Sequence, residues 1–506
     1  MVQYVWINIL KFFINESVDT RFSFINSITI MLSKHILPLL AAPFIGLKAY
    51  DPETFQGWQL SCSAFAGKLN EDGSIDDSVP GPYSLAYSGN TGSYGFIGSH
   101  RGRNYGSVIA LDGTFGANKD NLCQNSKNTT TELIFNGIFD WPNTVSYVPD
   151  EVFGSGSKYI LVTDGSPTIK GNDGCMAVVQ LTSESYPVGA NNMKFITPGC
   201  GYNLRPGKTR WFYTEAKWFD MDNDGDLDII APRASGLSGN YDVEESELDW
   251  WVNPGNPFDT ETDTYWEHMY IPASRNIADM FFDIMTYGSD NMIYVVIAGF
   301  SSEELIVLYS NDWTRTSNIN SQIVANDGLY SSVQFTDLNT DGIPDILATT
   351  GSANRNAPSL IAYAGYTSGN QNWLASTTKN TIYQGFPTFN SAGVSSPGQA
   401  RAFYYNSNPS QTEGTIPSIL ISGHNDGYLY MADPISTDPS TFNWKYTTNI
   451  IFETDLFNPF VTTTTAPTVG VPVVLDLDNC GCNNVIVPGV ATKQIHVLEP
   501  PSDRCP

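Results

Sequence analysis

The nine-residue run Asp220-Met221-Asp222-Asn223-Asp224-Gly225-Asp226-Leu227-Asp228, followed at once by Ile229-Ile230-Ala231, constrains this chain more than any other stretch. It offers side-chain oxygens at positions 1, 3, 5 and 9 and a backbone carbonyl, that of Asp226, at position 7. Gly225 permits the sharp turn between them. That donor set suits a hard divalent cation, and calcium is its natural occupant. An EF-hand opens the same way but needs a bidentate Glu at position 12 and a helix afterwards. Position 12 is Ala231, and Leu227, Ile229 and Ile230 read as the start of a buried strand, so the loop is expected to join two strands.

The loop recurs. Asp337-Leu338-Asn339-Thr340-Asp341-Gly342-Ile343-Pro344-Asp345, then Ile346-Leu347-Ala348, repeats it with Asn339 at one ligand place, and Phe335 matches Trp218 in the entering strand. The expected second ligand set is Asp337, Asn339, Asp341 and Asp345 with the carbonyl of Ile343. A third copy, Asp476-Leu477-Asp478-Asn479-Cys480-Gly481-Cys482-Asn483-Asn484, then Val485-Ile486-Val487, has Cys480 and Asn484 at the last two ligand places. Sulfur is a poor calcium ligand, so weak binding or none is expected there. Four side chains and a carbonyl leave little open coordination, so the ion is read as structural rather than catalytic. Without it the clustered carboxylates would repel one another.

Apolar runs in pairs give the rest of the chain its period. Tyr159–Val162 is answered by Met176–Leu181, Ile229-Ile230 by Leu248–Val252, Tyr294–Gly299 by Leu305–Tyr309, and Ile346-Leu347 by Leu360–Tyr363. Ile419–Gly423 is answered by Tyr428–Tyr430 across Asn425-Asp426-Gly427, and Val485–Val487 by Ile495–Leu498. Ser84–Tyr87 with Ser107–Leu111 makes a seventh pair. Asp220 and Asp476 stand 256 residues apart, four steps of 64, and the 457 residues from 50 to 506 hold about seven such steps. No long amphipathic helical pattern interrupts the series. The expected fold is therefore all-β, a seven-bladed β-propeller with calcium-binding β-loop-β turns, since a closed ring of four-stranded blades leaves no long open edge. A pair of β-sandwiches is the competing architecture, and it gives no reason for a cation loop to recur at multiples of one period. The final hairpin runs almost to residue 506, so N-terminal sequence, with Gly57–Cys62 as donor, is expected to complete the last blade. A Cys62–Cys505 bridge would lock that junction, and Cys175 with Cys200 would close a loop within one repeat.

With 25 Lys+Arg against 52 Asp+Glu the formal charge is −27, and no basic cluster offsets it. Nucleic-acid binding and attachment to anionic membranes are thereby disfavoured. Seven cysteines fit an oxidising compartment. Residues 31–49 run from a basic start, Lys34-His35, through the apolar stretch Ile36–Leu47 to Ala49, the pattern of a cleaved secretory signal. That stretch is too short to span a bilayer. Residues 1–30 are read as an over-extended start, with a genuine N-terminal extension as the alternative, and 50–80 as a loose segment that supplies the closing strand. Asn128-Thr129-Thr130 is a glycosylation sequon.

The D-x-D-x-D-G-x-x-D loop between strands at blade spacing resembles the FG-GAP/VCBS repeat family, which is related to the propeller of integrin α chains. The likeness rests on Asp220–Ala231, Asp337–Ala348 and the degraded Asp476–Val487. Trp250-Trp251-Val252-Asn253-Pro254-Gly255 with Trp266-Glu267-His268 also resembles the second half of such repeats in secreted microbial members. The resemblance implies a seven-bladed propeller in which calcium staples the turn between neighbouring strands, and it implies no activity.

Motifs for familiar catalysis are absent. Of the histidines, His424 stands at a hairpin mouth, while His496 alternates within a strand and reads as packed. The acidic segment Asp242-Val243-Glu244-Glu245-Ser246-Glu247 offers paired carboxylates but reads first as a solvated hairpin loop. Trp250, Trp251, Trp266 and Tyr430 could stack on sugar rings but read first as blade core. The leading expectation is a secreted module that binds extracellular carbohydrate or protein through loops on one face. The runner-up is a sugar lyase or dehydratase using the acidic segment and His424, and the third is an adhesion or assembly protein.

Overall fold

The computed structural model describes residues 55–505 apart from internal stretches, the longer of which are 112–130, 166–173, 183–188, 199–210, 237–242, 259–264, 366–372, 387–396 and 455–467. The segment read as a signal, the Asn128 sequon, Cys123, Cys200, Asp242, His424 and Asn425 lie outside the described residues.

The strands form seven antiparallel sheets arranged as a ring, a seven-bladed β-propeller. Blade 1 runs Ser84–Asn90, Ser93–His100, Ser107–Leu111 and Thr131–Ile134. Blade 2 runs Pro142–Tyr147, Tyr159–Asp164, Met176–Leu181 and Ala190–Phe195. In blade 3 the first strand is broken into Trp211–Tyr213 and Lys217–Phe219, both paired with Asp228–Gly236; Val243–Trp251 and His268–Tyr270 follow. Blades 4, 5 and 6 begin at Phe281–Tyr287, Leu329–Thr336 and Pro397–Phe403. Blade 7 is composite: Val473–Leu475, Asn484–Gly489 and Gln494–Glu499 are joined on the outside by Gln59–Phe65 from the other end of the chain.

Burial on both faces explains why the middle strands are continuously apolar. In Met292–Gly299, Ile293, Val295 and Ile297 pack toward blade 3 beside Ile230 and Trp250, while Tyr294, Val296 and Ala298 pack toward blade 5 beside Ile346 and Tyr363. Each blade is thus a layer in a stack bent into a circle, and the hydrophobic core lies between blades. The fourth strands face water and lack that signal: Asn320–Ala325 and Thr378–Gln384 contain no fully buried residue.

Two expectations are corrected. Ser84–Tyr87 does not pair with Ser107–Leu111; Ser93–His100 lies between them, a Gly- and Ser-rich strand whose Phe96 and Ile97 are fully buried. Cys62 does not bond Cys505. Cys505 is bonded to Cys482 with Cα atoms 5.8 Å apart, and Cys62 and Cys175 are disulfide-bonded elsewhere. The seam between the chain ends is held instead by strand pairing, by Ala66 N donating to Lys493 O at 2.9 Å and by His496, whose Nδ1 meets Ser63 Oγ at 2.8 Å.

Burial lowers the pKa of His496 to about 4, and of His100, whose Nδ1 meets Pro80 O at 3.0 Å, to the same value. Both rings are neutral in the fold, so their stabilisation is complete above the unfolded value of about 6.5 and is lost as pH falls from there toward 4. Each should cost roughly 3 kcal/mol by pH 4. Denaturant titrations of the wild type and His496→Gln should therefore converge on acidification, the variant losing less stability. Parallel losses would refute the role given to His496. Among the described residues no helix is long and apolar enough to cross a membrane.

Candidate metal centre

All three Asp-rich loops connect the first and second strands of their blades, in blades 3, 5 and 7, and so occupy the same corner of the ring. Each enters from a short or bulged inner strand and leaves into a buried one. Asp228–Gly236 and Asp345–Gly351 begin at the ninth loop residue, so the segment after each loop is a strand and not the helix an EF-hand requires.

One hydrogen-bond scheme folds all three. The first Asp accepts the amides of positions 5 and 6: Asp220 Oδ1 from Asp224 N at 3.2 Å and Oδ2 from Gly225 N at 3.1 Å, with Asp337 and Asp476 repeating the pair. The third residue accepts the position-5 amide again, through Asp222, Asn339 or Asp478. Position 4 takes positive φ, near 60°, at Asn223, Thr340 and Asn479, and position 6 is more extreme, with Gly225 at 96°. Only glycine adopts that angle cheaply.

The scheme gathers the carboxylates of Asp220, Asp222 and Asp224 so that one oxygen from each lies within 4.8 Å of the others. In the second loop Asn339 Nδ2 donates to Asp341 Oδ2 at 2.9 Å, and the carboxylate of Asp337 completes the group. Asp228 and Asp345 do something further. Each is buried, and both of its oxygens accept backbone amides: Asp228 from Met221 N and Asn253 N, Asp345 from Leu338 N and Gly365 N. The ninth residue therefore ties the loop to the third strand of its blade, with a second lone pair on each oxygen left for an ion. Asp226 lies at the rim, its amide donating to Asp224 Oδ1 at 3.0 Å, as that of Ile343 does to Asp341 Oδ1 at 2.9 Å.

The electrostatics are those of a site lacking positive charge. Burial first, and then the charges of its neighbours Asp222 and Asp226, raise Asp228 to about 7, and Asp345 rises to the same value beside Asp341 and Asp337. Asp222, Asp226 and Asp337 are also held above the carboxylate range. Among the described residues no lysine or arginine is ion-paired with a carboxylate of the first two loops. The donor set is all oxygen in loops 1 and 2, as calcium requires.

The third loop keeps the geometry and gains protein partners. Ser407 Oγ donates to Asp476 Oδ2 at 2.8 Å, Asn483 N to Tyr405 O at 2.8 Å, and Cys482 is bonded to Cys505. Covalent and hydrogen-bonded ties from blade 6 and the C-terminal segment hold this corner, and the exposed Cys480 thiol stands where an oxygen ligand would be.

Elsewhere the described residues singled out from sequence lie within the blades. Trp250, Trp251, Trp266 and Tyr430 are buried in the blades. The acidic segment is a strand from Val243 onward rather than a loop. Glu247 lies 3.6 Å from Arg233, whose Nε is 2.7 Å from the buried Asp249. One guanidinium thus lies between two carboxylates, and Glu247 is engaged within the sheet rather than standing in a solvated loop. Asp426 accepts from Tyr428 N and from Tyr430 Oη, pinning its hairpin. Asn253 escaped the sequence reading as a loop partner: its Nδ2 donates to Leu227 O at 3.0 Å, although it lies 25 residues beyond Asp228.

No known family model and no curated protein matches this chain. Among solved structures it is similar to one described as the structure of a Dos1 propeller, with a TM-score of 0.40 and 11% identity over 87% of this chain and 82% of that one.

Proposed function

We propose that this chain is a secreted, calcium-stabilised binding module that takes an extracellular glycan or protein on loops at one end of its ring, built on repeats of FG-GAP/VCBS type. The observation that carries this reading is that all three Asp-rich loops brace the corner between first and second strands. The connections between second and third strands lie at the opposite end. They differ in extent from 300–303 in blade 4 to 165–175 in blade 2. Bracing by the Asp-rich loops gives a rigid scaffold on which the connections at the opposite end can be presented as binding loops. Calcium here is a staple and takes no part in a reaction. Asp220, Asp222, Asp224 and Asp228 would hold one ion with the Asp226 carbonyl, and Asp337, Asn339, Asp341 and Asp345 the other with that of Ile343.

A glycan array probed with calcium-loaded protein tests the reading. Retention on a defined subset of glycans, without release of unsaturated product, is the expected result. A silent array together with near-ultraviolet absorbance from an unsaturated sugar would replace it with the lyase reading.

A further inference from the structure

Three cysteines share one corner of blade 7, and only two of them are bonded. Cys482, 5% exposed, is bonded to Cys505, whereas Cys480, two residues earlier, is exposed and is the free thiol among the described residues. Gly481 stands between them with φ 89°, in a turn closed by Cys480 N and Gly481 N donating to the Asp476 carboxylate at 3.0 and 2.9 Å. Residues two apart in a turn have Cα atoms roughly 5–7 Å from each other, close to the span of about 4.4–6.8 Å that a disulfide needs. The Cys480 thiol also accepts a hydrogen bond from the backbone of Cys482. A clamp accounts for Cys482 and Cys505 and leaves Cys480 over.

The bond to Cys505 holds segment 500–505 against the seam of the ring. Pro501 is buried and closes on Gly57, where an added Cβ would lie 3.2 Å from its own. Arg504 N donates to Pro501 O at 2.9 Å, and its guanidinium lies 5.5 Å over the ring of Tyr405, the ring that packs on Trp58 at 5.9 Å. Trp58 leads directly into Gln59–Phe65, the strand that closes blade 7. One covalent bond therefore fixes the cover over the entry to that strand.

We propose that Cys480 exchanges with the Cys482–Cys505 bond, making this corner a two-position latch on the ring seam. The Cys480 thiolate, its proton given to water, attacks Cys482 Sγ; a Cys480–Cys482 bond forms as the bond to Cys505 breaks, and the electron pair leaves on Cys505 Sγ, which takes up a proton. Nothing is oxidised or reduced overall, so the exchange needs no reductant. Burial shields Cys482 from thiols in solution, and the neighbouring Cys480 is the thiol that reaches it. The docked segment favours the bond to Cys505. Partial burial and its contact with Asp478 hold the Cys480 thiol above its ordinary value, which slows the exchange near neutral pH. In the exchanged form segment 500–505 is untied and Gln59–Phe65 loses its cover.

Disulfide mapping of the full chain tests it, by iodoacetamide labelling and mass spectrometry of unreduced digests. Held overnight below its melting temperature at about pH 8.5, where thiolate is plentiful, with substoichiometric reduced glutathione, part of the wild type should carry label on Cys505 and a Cys480–Cys482 link. Cys480→Ser should carry neither. Arg504→Ala, which removes the contact with the Tyr405 ring, should raise the ratio of exchanged to native bond roughly two- to fivefold. Cys505→Ser, given glutathione disulfide as oxidant, should form the Cys480–Cys482 bond, and deuterium should enter its Gln59–Phe65 amides severalfold faster than in the wild type. That variant decides independently of how Cys480→Ser folds. An unlabelled Cys505 in the wild type, equal labelling in Cys480→Ser, two persisting thiols in Cys505→Ser, or unchanged deuterium uptake at the closing strand would overturn the proposal.

Discussion

A chain that begins at Gly67 will not form a folded monomer. It lacks Gln59–Phe65, the outer strand of blade 7, which makes six registered pairs with Gln494–Glu499. It also lacks Trp58, 1% exposed, whose ring lies 5.9 Å from both Phe403 and Tyr405 of blade 6. Removing the indole alone should cost about 3–5 kcal/mol, and whole domains are stable by only about 5–15 kcal/mol. The truncated chain would further expose the apolar edge Gln494–Glu499, a template for pairing with another copy. Size-exclusion chromatography should show aggregate or void-volume material, and Trp58→Ala in the full chain should unfold at a lower denaturant concentration by the energy stated. A truncated protein that elutes as a monomer with a cooperative melt would refute the seam.

The sequence showed some layers of this molecule far better than others, and burial explains which. The second and third strands of blades 2 to 7 pack on both faces, so Tyr294–Gly299 or Ile419–Gly423 is apolar at nearly every position and stands out. Ser93–His100 has the same place in blade 1 but is built on Gly95, Gly98 and Ser99, so its buried apolar side chains Phe96 and Ile97 form too short a run to see. Outer strands such as Ala190–Phe195 touch water along most of their length and carry no pattern. The Asp-rich loops were legible because the hydrogen bonds that turn them lie within nine residues, the range in which a motif can be written. Their braces, Asn253 and Gly365, arrive from 25 and 20 residues beyond and carry no motif at all. Cysteine pairing belongs to the same class, since nothing in the spacing of Cys62, Cys482 and Cys505 distinguished the bond that forms.

Chelating calcium should lower the melting temperature by several degrees, and the loss should divide between two loops. Binding at about 1,000 times its dissociation constant stabilises a fold by about 4 kcal/mol per site, so two loops supply about 8 kcal/mol. With an unfolding entropy of about 2.1 cal/mol/K per residue over roughly 450 residues, that corresponds to about 8 °C. The measurement is the difference between melting temperatures in calcium and in EDTA. Using the difference removes what a substitution does to the loop's own hydrogen bonds, which matters because Asp220 also accepts two backbone amides. Asp220→Asn and Asp337→Asn should each remove about half of the difference, and together nearly all of it. Asp478→Asn should leave it untouched, because the third loop presents Cys480 where an oxygen is needed and is tied down by Ser407 and the Cys482–Cys505 bond. A melting curve indifferent to EDTA would remove the ion from this account, and a difference abolished by Asp478→Asn alone would move it to the loop judged least able to hold it.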